Sequence, residues 1–266
     1  MANAGQPSSD IEPLYFELQS DFGITKHMGG RKATHELIEL CHLEAGQSVL
    51  EVGCGIGSTA CYLAGEFDML VTSVDISPRM VERARERAKR RGVAARVEFR
   101  VADAQQLPFG EARFDAVIDE SVTAFVQDKQ RALSEYVRVA KPGGYVGLNE
   151  VTWVKLPPPE LVRYVTLIMA GADFLTAEGW QALLDGAGLG ELGARQHRFD
   201  ARSQYVEELR QLDVREYLAA WYRFLTQSVT NPAYRKFMKE VMSAPGHIFK
   251  FIKHIGYGIY VGRKLN

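Results

Sequence analysis

The sequence predicts an α/β fold of the Rossmann-like, doubly wound type, with a mostly parallel sheet of seven strands covered by helices on both faces. Short apolar runs alternate with amphipathic helical patterns over residues 31–151. A glycine-rich turn follows the first of these runs, and glycine or proline ends several of the helical patterns. Because right-handed crossovers bring the carboxyl ends of parallel strands to one edge, we expect a ligand to bind there.

The first half of the chain contains patterns for five strands and four helices. Apolar runs predict strands at 48–52, 69–74, 96–101, 114–118 and 145–151, and helical periodicity predicts helices at 31–43, 59–67, 78–91 and 129–140. Pro78 suits the first turn of its helix, and Gly92 suits the end of that helix. The segment 141–144, Lys-Pro-Gly-Gly, predicts the end of the helix before the fifth strand.

The pattern changes after residue 151, where three consecutive prolines interrupt the chain. Helices are predicted at 160–169 and 176–188, the second of them capped by Thr176, and a sixth strand at 190–199. Residues 203–228 and 232–242 are predicted to form a helical insertion before a last strand at 249–263.

Composition excludes several functional classes. With 32 basic and 33 acidic residues the net charge is −1, whereas a nucleic-acid-binding protein should be clearly basic. The longest stretch without charge, 52–65, has 14 residues and four glycines, so no transmembrane segment is expected. The N-terminus has no pattern of a secretory signal. Three cysteines without metal-ligand spacing indicate reduced thiols, no metal site and a cytoplasmic location.

The segment Val49-Leu-Glu-Val-Gly-Cys-Gly-Ile-Gly57 carries the strongest functional signal. Glycines in a strand-to-helix turn allow positive φ and let a ligand approach the backbone. Dinucleotide sites have the spacing G-x-G-x-x-G, whereas Gly53, Gly55 and Gly57 follow G-x-G-x-G. Glu51 would repel a pyrophosphate, but it can hold an ammonium group directly or through water. The turn therefore suits an amino acid attached to a nucleoside.

Two further acids follow the next two predicted strands. Asp75 lies 22 residues after Gly53, where an acid accepts hydrogen bonds from both ribose hydroxyls. Its neighbour Ile76 is included in the predicted cofactor site. Asp103 can accept from an adenine amino group while the backbone N–H of Ala104 reaches a ring nitrogen. Three acids after three successive strands match the amino acid, ribose and adenine of S-adenosylmethionine.

These blocks resemble the class I S-adenosylmethionine-dependent methyltransferases, in the small-molecule group that includes ubiquinone/menaquinone-type enzymes (methyltransferase type 11). The matching segments are VLEVGCGIG, SVDIS, VADAQQLPF, FDAVIDE and RVAKPGG. The resemblance implies methyl transfer by in-line displacement to a small-molecule N, O, S or C nucleophile, with S-adenosylhomocysteine as product.

A looser likeness extends outward from this block. The segments HMGGRKAT at 27–34 and HIGYG at 254–258 look similar to parts of phosphoethanolamine and glycine-derivative N-methyltransferases. Those phosphobase enzymes place an Asp and a His after strand four, where this chain has Ser121 and Phe125.

Three residues are candidate general bases, which are needed only when the acceptor must lose a proton. Glu120, after strand four, is the first candidate and is also counted with the cofactor site; its alternative is a solvated loop acid beside Asp119. Glu150, at the end of strand five, is equally consistent with a structural hydrogen-bonding role. His27 precedes two glycines in a segment that folds over the cofactor in the proteins that this chain resembles.

The domain prediction follows from these assignments. Residues 1–30 form an N-terminal lid segment, 31–200 the S-adenosylmethionine-binding core, 201–247 a helical insertion and 248–266 the last strand. The insertion is rich in aromatic residues, which build a small core of their own or cover an apolar or cationic acceptor. These residues are Tyr205, Tyr217, Trp221, Tyr222, Phe224, Tyr234 and Phe237.

Two other functional classes stay open at this point. One is an NAD(P)-dependent oxidoreductase with a Rossmann core, against which the glycine spacing and Glu51 argue. The other is a non-catalytic protein that binds S-adenosylmethionine without consuming it. The expected assembly is a monomer or a homodimer.

Overall fold

The computed structural model describes residues 27–199, 214–242 and 252–265. Its strands form one sheet in the order β3-β2-β1-β4-β5-β8-β7, and β6 pairs with β5 outside this path. Strands β1 to β5 are parallel, whereas β8 runs antiparallel to both β5 and β7. The strands are β1 Ser48–Val52, β2 Leu70–Asp75, β3 Val97–Val101, β4 Phe114–Glu120, β5 Ala140–Trp153, β6 Leu175–Thr176, β7 Leu189–Arg198 and β8 Ile255–Lys264.

The prediction of a doubly wound, mostly parallel sheet is confirmed, with eight strands rather than seven. The additional strand, β6, has two residues, too few for a periodic pattern. The helices are α1 Gly30–Leu40, α2 Ser58–Glu66, α3 Pro78–Arg91, α4 Lys129–Val139, α5 Pro159–Ile168, α6 Ala177–Gly186, α7 Val214–Thr230 and α8 Pro232–Met242. Residues 203–213 and 249–251 of the predicted elements lie outside the described residues.

Local signals account for the ends of several helices. The Ser77 side chain accepts a hydrogen bond from the Met80 N–H at the start of α3, and Gly92 ends this helix in a left-handed conformation, with φ of +72°. The predicted bounds of α3 are therefore confirmed. Thr176 caps α6 by accepting from the Gly179 N–H, as predicted.

Strand β5 begins earlier than predicted. The helix α4 stops before the Lys-Pro-Gly-Gly segment, as expected, but the chain turns directly into extended backbone, and Ala140 pairs with Phe114. A register shift between Phe114 and Ala116 accommodates the segment. An added Cβ at Gly144 would lie 2.7 Å from the Asp115 carbonyl oxygen, so glycine permits this close pairing.

Two hydrophobic clusters cover the sheet. One is built around the fully buried Leu133, Tyr136 and Trp180, and the other around Leu37 and Leu63. The three cysteines are buried and free, as predicted for packing residues. Helices on both faces leave the carboxyl ends of the parallel strands as the edge where loops can form a site.

The helices α7 and α8 pack on each other. The Phe224 and Tyr234 rings meet edge to face with centroids 5.8 Å apart, and Tyr234 is buried, whereas Trp221 and Tyr222 are exposed, so the predicted aromatic core forms only in part. Of the other predicted aromatic residues, Tyr205 and the side chains of Tyr217 and Phe237 lie outside the described residues. Among the residues that the structure describes, no helix is long and apolar enough to span a bilayer.

Candidate active site

The predicted cofactor residues follow strands that are neighbours in the sheet. Strand β1 lies between β2 and β4, and β3 flanks β2, so the loops after all four strands share one edge. The change of strand order between β1 and β4 is the position where open α/β sheets bind ligands.

The glycine turn leaves β1 with three successive left-handed glycines, Gly53, Gly55 and Gly57, whose φ angles are +78°, +48° and +75°. The Gly53 and Cys54 N–H groups both donate to the Val74 carbonyl, at 2.7 and 2.8 Å, which ties the turn to the end of β2. A Cβ on Gly53 would overlap the side chain of Val122, in the loop after β4. The turn therefore requires glycine for both backbone conformation and space.

The third glycine has a packing role as well. A Cβ on Gly57 would lie 2.9 Å from the Cβ of Ala84 and 3.2 Å from the Phe99 ring. Gly57 therefore lets the start of α2 approach α3 and β3. This contact fixes the direction in which the helix N-terminus faces the site.

Asp75 is held by the backbone at the end of β2. Its Oδ2 accepts from the Gly55 N–H and its Oδ1 from the Ser77 N–H, both at 2.9 Å. Burial raises the pKa of this carboxyl, and the two N–H donors oppose the shift. A carboxylate offers about four acceptor positions, so each oxygen keeps one for a further donor. Beside it, the side chain of Ile76 is 68% exposed and presents an apolar face.

Asp103 forms a compact turn after β3. Its Oδ1 accepts from the Gln105 backbone N–H at 2.8 Å and from the Gln105 side-chain amide at 3.2 Å, while its carbonyl accepts from the Gln106 N–H. Ala104 points into the core beneath the turn. The turn thus holds the carboxylate next to the end of β2.

Glu51 is buried inside β1 and accepts a hydrogen bond from the Ser73 hydroxyl of β2. Desolvation raises its pKa to about 8, and the Ser73 hydroxyl opposes this effect, while the charges of Glu120 and Asp75 raise the pKa further. Three carboxyl groups therefore interact electrostatically at this edge. Such a site favours a cationic ligand.

Glu120, at the end of β4, is the centre of a hydrogen-bond network. Its Oε2 accepts from the Thr59 hydroxyl at 2.8 Å, and its Oε1 accepts from the Thr34 hydroxyl at 2.9 Å and the Asn149 amide at 3.3 Å. The His27 Nε2 lies 3.3 Å from the same Oε1. The solvated-loop alternative is wrong for Glu120, because its side chain is only 4% exposed.

His27 is also held by its own segment. Its Nε2 lies 3.0 Å from both the Gly30 carbonyl and the Thr34 hydroxyl. The Asn149 amide donates to the Met28 carbonyl at 3.0 Å, which fastens the same segment to β5. The start of the described chain is thus anchored at the sheet edge through Glu120 and its partners.

Three buried polar atoms in β5 and the loop after β4 have no hydrogen-bond partner among the residues described. They are the Ser121 Oγ, the Asn149 Oδ1 and the Glu150 Oε2. The Ser121 backbone has a φ of +63°, which is uncommon for a residue with a side chain. Orphaned acceptors and a strained backbone beside a cluster of acids are typical of a ligand site.

Glu150 contacts the loop after β4. Its Oε1 accepts from the Val122 N–H at 2.9 Å and the Ala124 N–H at 3.3 Å, while its Oε2 has no hydrogen-bond partner among the described residues, and its carboxyl interacts electrostatically with that of Asp119. Both are fully buried. Desolvation raises the pKa of Asp119 to about 6; desolvation and the Asp119 charge raise that of Glu150 well above its usual range. This geometry favours the structural alternative for Glu150.

Sequence patterns did not indicate three residues of the site. Thr34, Thr59 and Asn149 contact Glu120 from positions 86, 61 and 29 residues away. A polar residue inside an otherwise apolar strand was an available signal for Asn149. Asp119, which the sequence placed beside Glu120 after strand four, is fully buried. Among the described residues, no cluster of His, Cys, Asp or Glu could hold a metal ion, and metal ligands were not predicted.

Comparison with known proteins places this geometry in a family. Residues 50–148 match the methyltransferase domain family. Phosphoethanolamine N-methyltransferase 1 of Arabidopsis thaliana is 33% identical over 187 residues, which are 70% of this chain and 36% of that protein. The chain thus spans little more than a third of the length of this relative.

Solved structures share the fold at lower identity. The [4+2]-cyclase SpnF superposes with a TM-score of 0.74, at 23% identity over 97% of both chains. A Geobacter sulfurreducens S-adenosylmethionine-dependent methyltransferase in complex with S-adenosyl-L-homocysteine has a TM-score of 0.71, at 22% identity over 95% of this chain and 98% of that one. The chain contains a methyltransferase domain. The fold of this chain is shared with solved S-adenosylmethionine-dependent methyltransferases.

Proposed function

We propose that this chain transfers a methyl group from S-adenosylmethionine to a small-molecule acceptor by in-line displacement and releases S-adenosylhomocysteine. One observation carries the proposal: within a methyltransferase domain, carboxylates lie at or just beyond the carboxyl ends of β1, β2, β3 and β4, at one edge of the sheet. Their mutual electrostatic effect on the pKa of Glu51 indicates a negative site, and a sulfonium with an ammonium group is a cationic ligand.

The site residues fit the parts of this cofactor. Glu51 would hold the ammonium group, Asp75 the ribose hydroxyls through its two remaining acceptor positions, and Asp103 the adenine amino group. Ile76 would cover one face of the adenine, since its side chain is exposed beside Asp75. The backbone of the glycine turn and two further loop positions complete the proposed cofactor site. These remaining residues are Gly53, Gly55, Gly57, Ala104 and Glu120.

When bound, S-adenosylmethionine would supply a methyl group already activated on a sulfonium. The protein then contributes position and a dry site. Alignment of a nucleophile at about 3 Å from its target can account for roughly 7–11 kcal/mol of the barrier. A base is required only for acceptors that must lose a proton.

For such acceptors we propose His27 as the base and Glu120 as the residue that positions it. The Nε2 of His27 is held by the Gly30 carbonyl, Thr34 and Glu120, and within the described residues its Nδ1 makes no hydrogen bond. Glu120 already accepts from three side chains, so its carboxylate serves to fix the histidine. Glu150, a third candidate from the sequence, is occupied by the backbone N–H groups of the loop after β4.

The remaining assignments are proposals of the same kind. Residues 1–30 and 201–247 would cover the cofactor and an apolar or cationic acceptor, with the last strand at 248–266 closing the core of 31–200. We propose a cytoplasmic enzyme that works as a monomer or a homodimer.

Calorimetric titration with S-adenosylmethionine and S-adenosylhomocysteine tests the cofactor site. Asp75→Asn should weaken both affinities about tenfold or more, because a charged hydrogen-bond acceptor is lost. Asp68→Asn is the matched control, since Asp68 lies beyond the opposite end of β2, is 63% exposed and pairs with Arg96. Equal effects of the two substitutions, or no binding by the wild type, would overturn the assignment.

An acceptor screen that follows release of S-adenosylhomocysteine tests the reaction. Turnover that depends on an acceptor supports methyl transfer. Tight binding of S-adenosylmethionine without turnover across nitrogen, oxygen, sulfur and carbon nucleophiles would favour a non-catalytic protein. Binding of labelled NAD(P) in preference to S-adenosylmethionine would favour the oxidoreductase.

A further inference from the structure

The helix α7 exposes its most apolar face. Five large side chains on that face, the α7 stripe, are between 48% and 77% exposed: Leu218, Trp221, Tyr222, Leu225 and Val229. Their spacing of three and four residues places them on one side of the helix. The opposite side is less exposed although it carries polar residues such as Arg223 and Gln227. The amphipathic pattern is therefore inverted relative to a helix that packs its apolar side inward.

The same helices carry an excess of positive charge. The two helices contain five basic residues, Arg215, Arg223, Arg235, Lys236 and Lys239, against two acidic ones, Glu216 and Glu240, in a chain whose net charge is −1. The three bases on α8 are exposed. A partner of the α7 stripe therefore has to combine an apolar phase with negative charge.

We propose that α7 and α8 bind the surface of an anionic lipid bilayer, with the α7 stripe inserted among the acyl chains and the basic residues at the phosphate level. Exposed leucines with Trp and Tyr, together with Lys and Arg, are the composition of helices that lie in the plane of a membrane interface. The stripe extends over 12 residues, from Leu218 to Val229, so its ends lie about 17 Å apart along the helix.

Charge argues against a second copy of the chain as the partner. A symmetric dimer through the α7 stripe would bring together two helix pairs that each carry five basic and only two acidic residues, so like charges would meet across the dimer. A nucleic acid would supply negative charge but no apolar phase for the leucines. The lipid surface satisfies both requirements.

Vesicle co-sedimentation with the full chain tests the proposal. The protein should bind vesicles that contain about a third phosphatidylglycerol, and added salt should weaken this binding. Vesicles of phosphatidylcholine alone should bind much more weakly. No binding to anionic vesicles, or equal binding to both kinds, would overturn the proposal.

Variants locate the binding surface. Leu218→Gln with Leu225→Gln should weaken partitioning about tenfold or more, since two apolar side chains no longer leave water. Leu156→Gln is the control, because Leu156 is 87% exposed outside these helices, and it should bind as the wild type does. Circular dichroism and thermal unfolding verify that the variants fold, since glutamine is a good helix former.

Charge variants provide the second arm. Lys236→Gln with Lys239→Gln should lower affinity for anionic vesicles about fivefold per charge, whereas Lys155→Gln, an exposed lysine elsewhere, should not. Three outcomes contradict the proposal. The stripe variants bind vesicles as well as the wild type does; or the wild type binds no vesicles and forms a dimer that the stripe variants dissociate; or the stripe variants change the KM for an acceptor and nothing else. The vesicle measurements do not use methyl transfer, so they succeed or fail separately from the proposed function.

Discussion

Binding of a cationic cofactor at Glu51 should release a proton. Desolvation and two neighbouring carboxylates keep the pKa of Glu51 at about 8, so the carboxyl is mostly protonated near neutral pH before the ligand arrives. An ammonium group requires the ionised form. The proton on Glu51 must therefore leave when S-adenosylmethionine binds.

The magnitude follows from the pKa. At pH 6.5 about 3% of Glu51 is ionised, so binding releases about 0.9 proton once the small uptake by the ligand amine, with a pKa of about 7.7–8.0, is subtracted. The same linkage makes affinity rise with pH. The dissociation constant should fall about eightfold between pH 6 and pH 7, because the ionised fraction of Glu51 rises while the protonated fraction of the ligand amine falls slightly.

Calorimetry in buffers with different ionisation enthalpies measures the released protons directly. Glu51→Gln is the key variant, since it cannot release a proton, and the difference from the wild type should be about 0.9 proton. Ser73→Ala removes the hydroxyl that favours the ionised form, so it should weaken binding near neutral pH yet keep the proton release. Equal proton release by the wild type and Glu51→Gln would refute the assignment of Glu51 to the ammonium group.

Two further predictions concern the loop after β4. Gly53→Ala should destabilise the fold by about 1–3 kcal/mol and weaken cofactor binding, because residue 53 has a positive φ and the new Cβ overlaps Val122. The added substitution Val122→Ala should restore part of the thermal stability. If it restores none, the overlap with Val122 is not the cause. The fold raises the pKa values of Asp119 and Glu150, so the folded protein keeps protons that the unfolded chain loses. The free energy of unfolding is therefore higher at about pH 4 and declines as the pH rises through about 6. Glu150→Gln copies the protonated carboxyl, so its unfolding temperature should decline less between about pH 5 and pH 9 than that of the wild type, and an equally steep decline would contradict this account.

The parallel core could be predicted because its signals are local. The helix from Pro78 to Arg91 carries its own proline start, serine cap and glycine end, so its bounds agree with the structure. The start of β5 could not be predicted in the same way. The Lys-Pro-Gly-Gly segment favours a turn locally, and pairing with Phe114, 26 residues earlier along the chain, holds it in the sheet.

The residues of the candidate site also differ in whether local sequence indicates them. Glu51, Asp75 and Asp103 follow their own strands, so spacing along the sequence indicated them. The partners of Glu120 come from α1, α2 and β5, and the contacts depend on how these elements meet in three dimensions. The choice between a catalytic and a structural role for Glu150 required knowing that its side chain is buried, and strand periodicity alone does not specify this.

The contact between Gly53 and Val122 has a consequence for changing the specificity of this protein. Position 122 belongs to the loop after β4, yet its side chain rests on the backbone of the turn that we propose receives the cofactor. A bulkier residue there would displace the turn, so a library that diversifies this loop for new acceptors would lose cofactor affinity in most of its members. Directed evolution of substrate range should hold Val122 constant and diversify positions that do not touch the glycine turn.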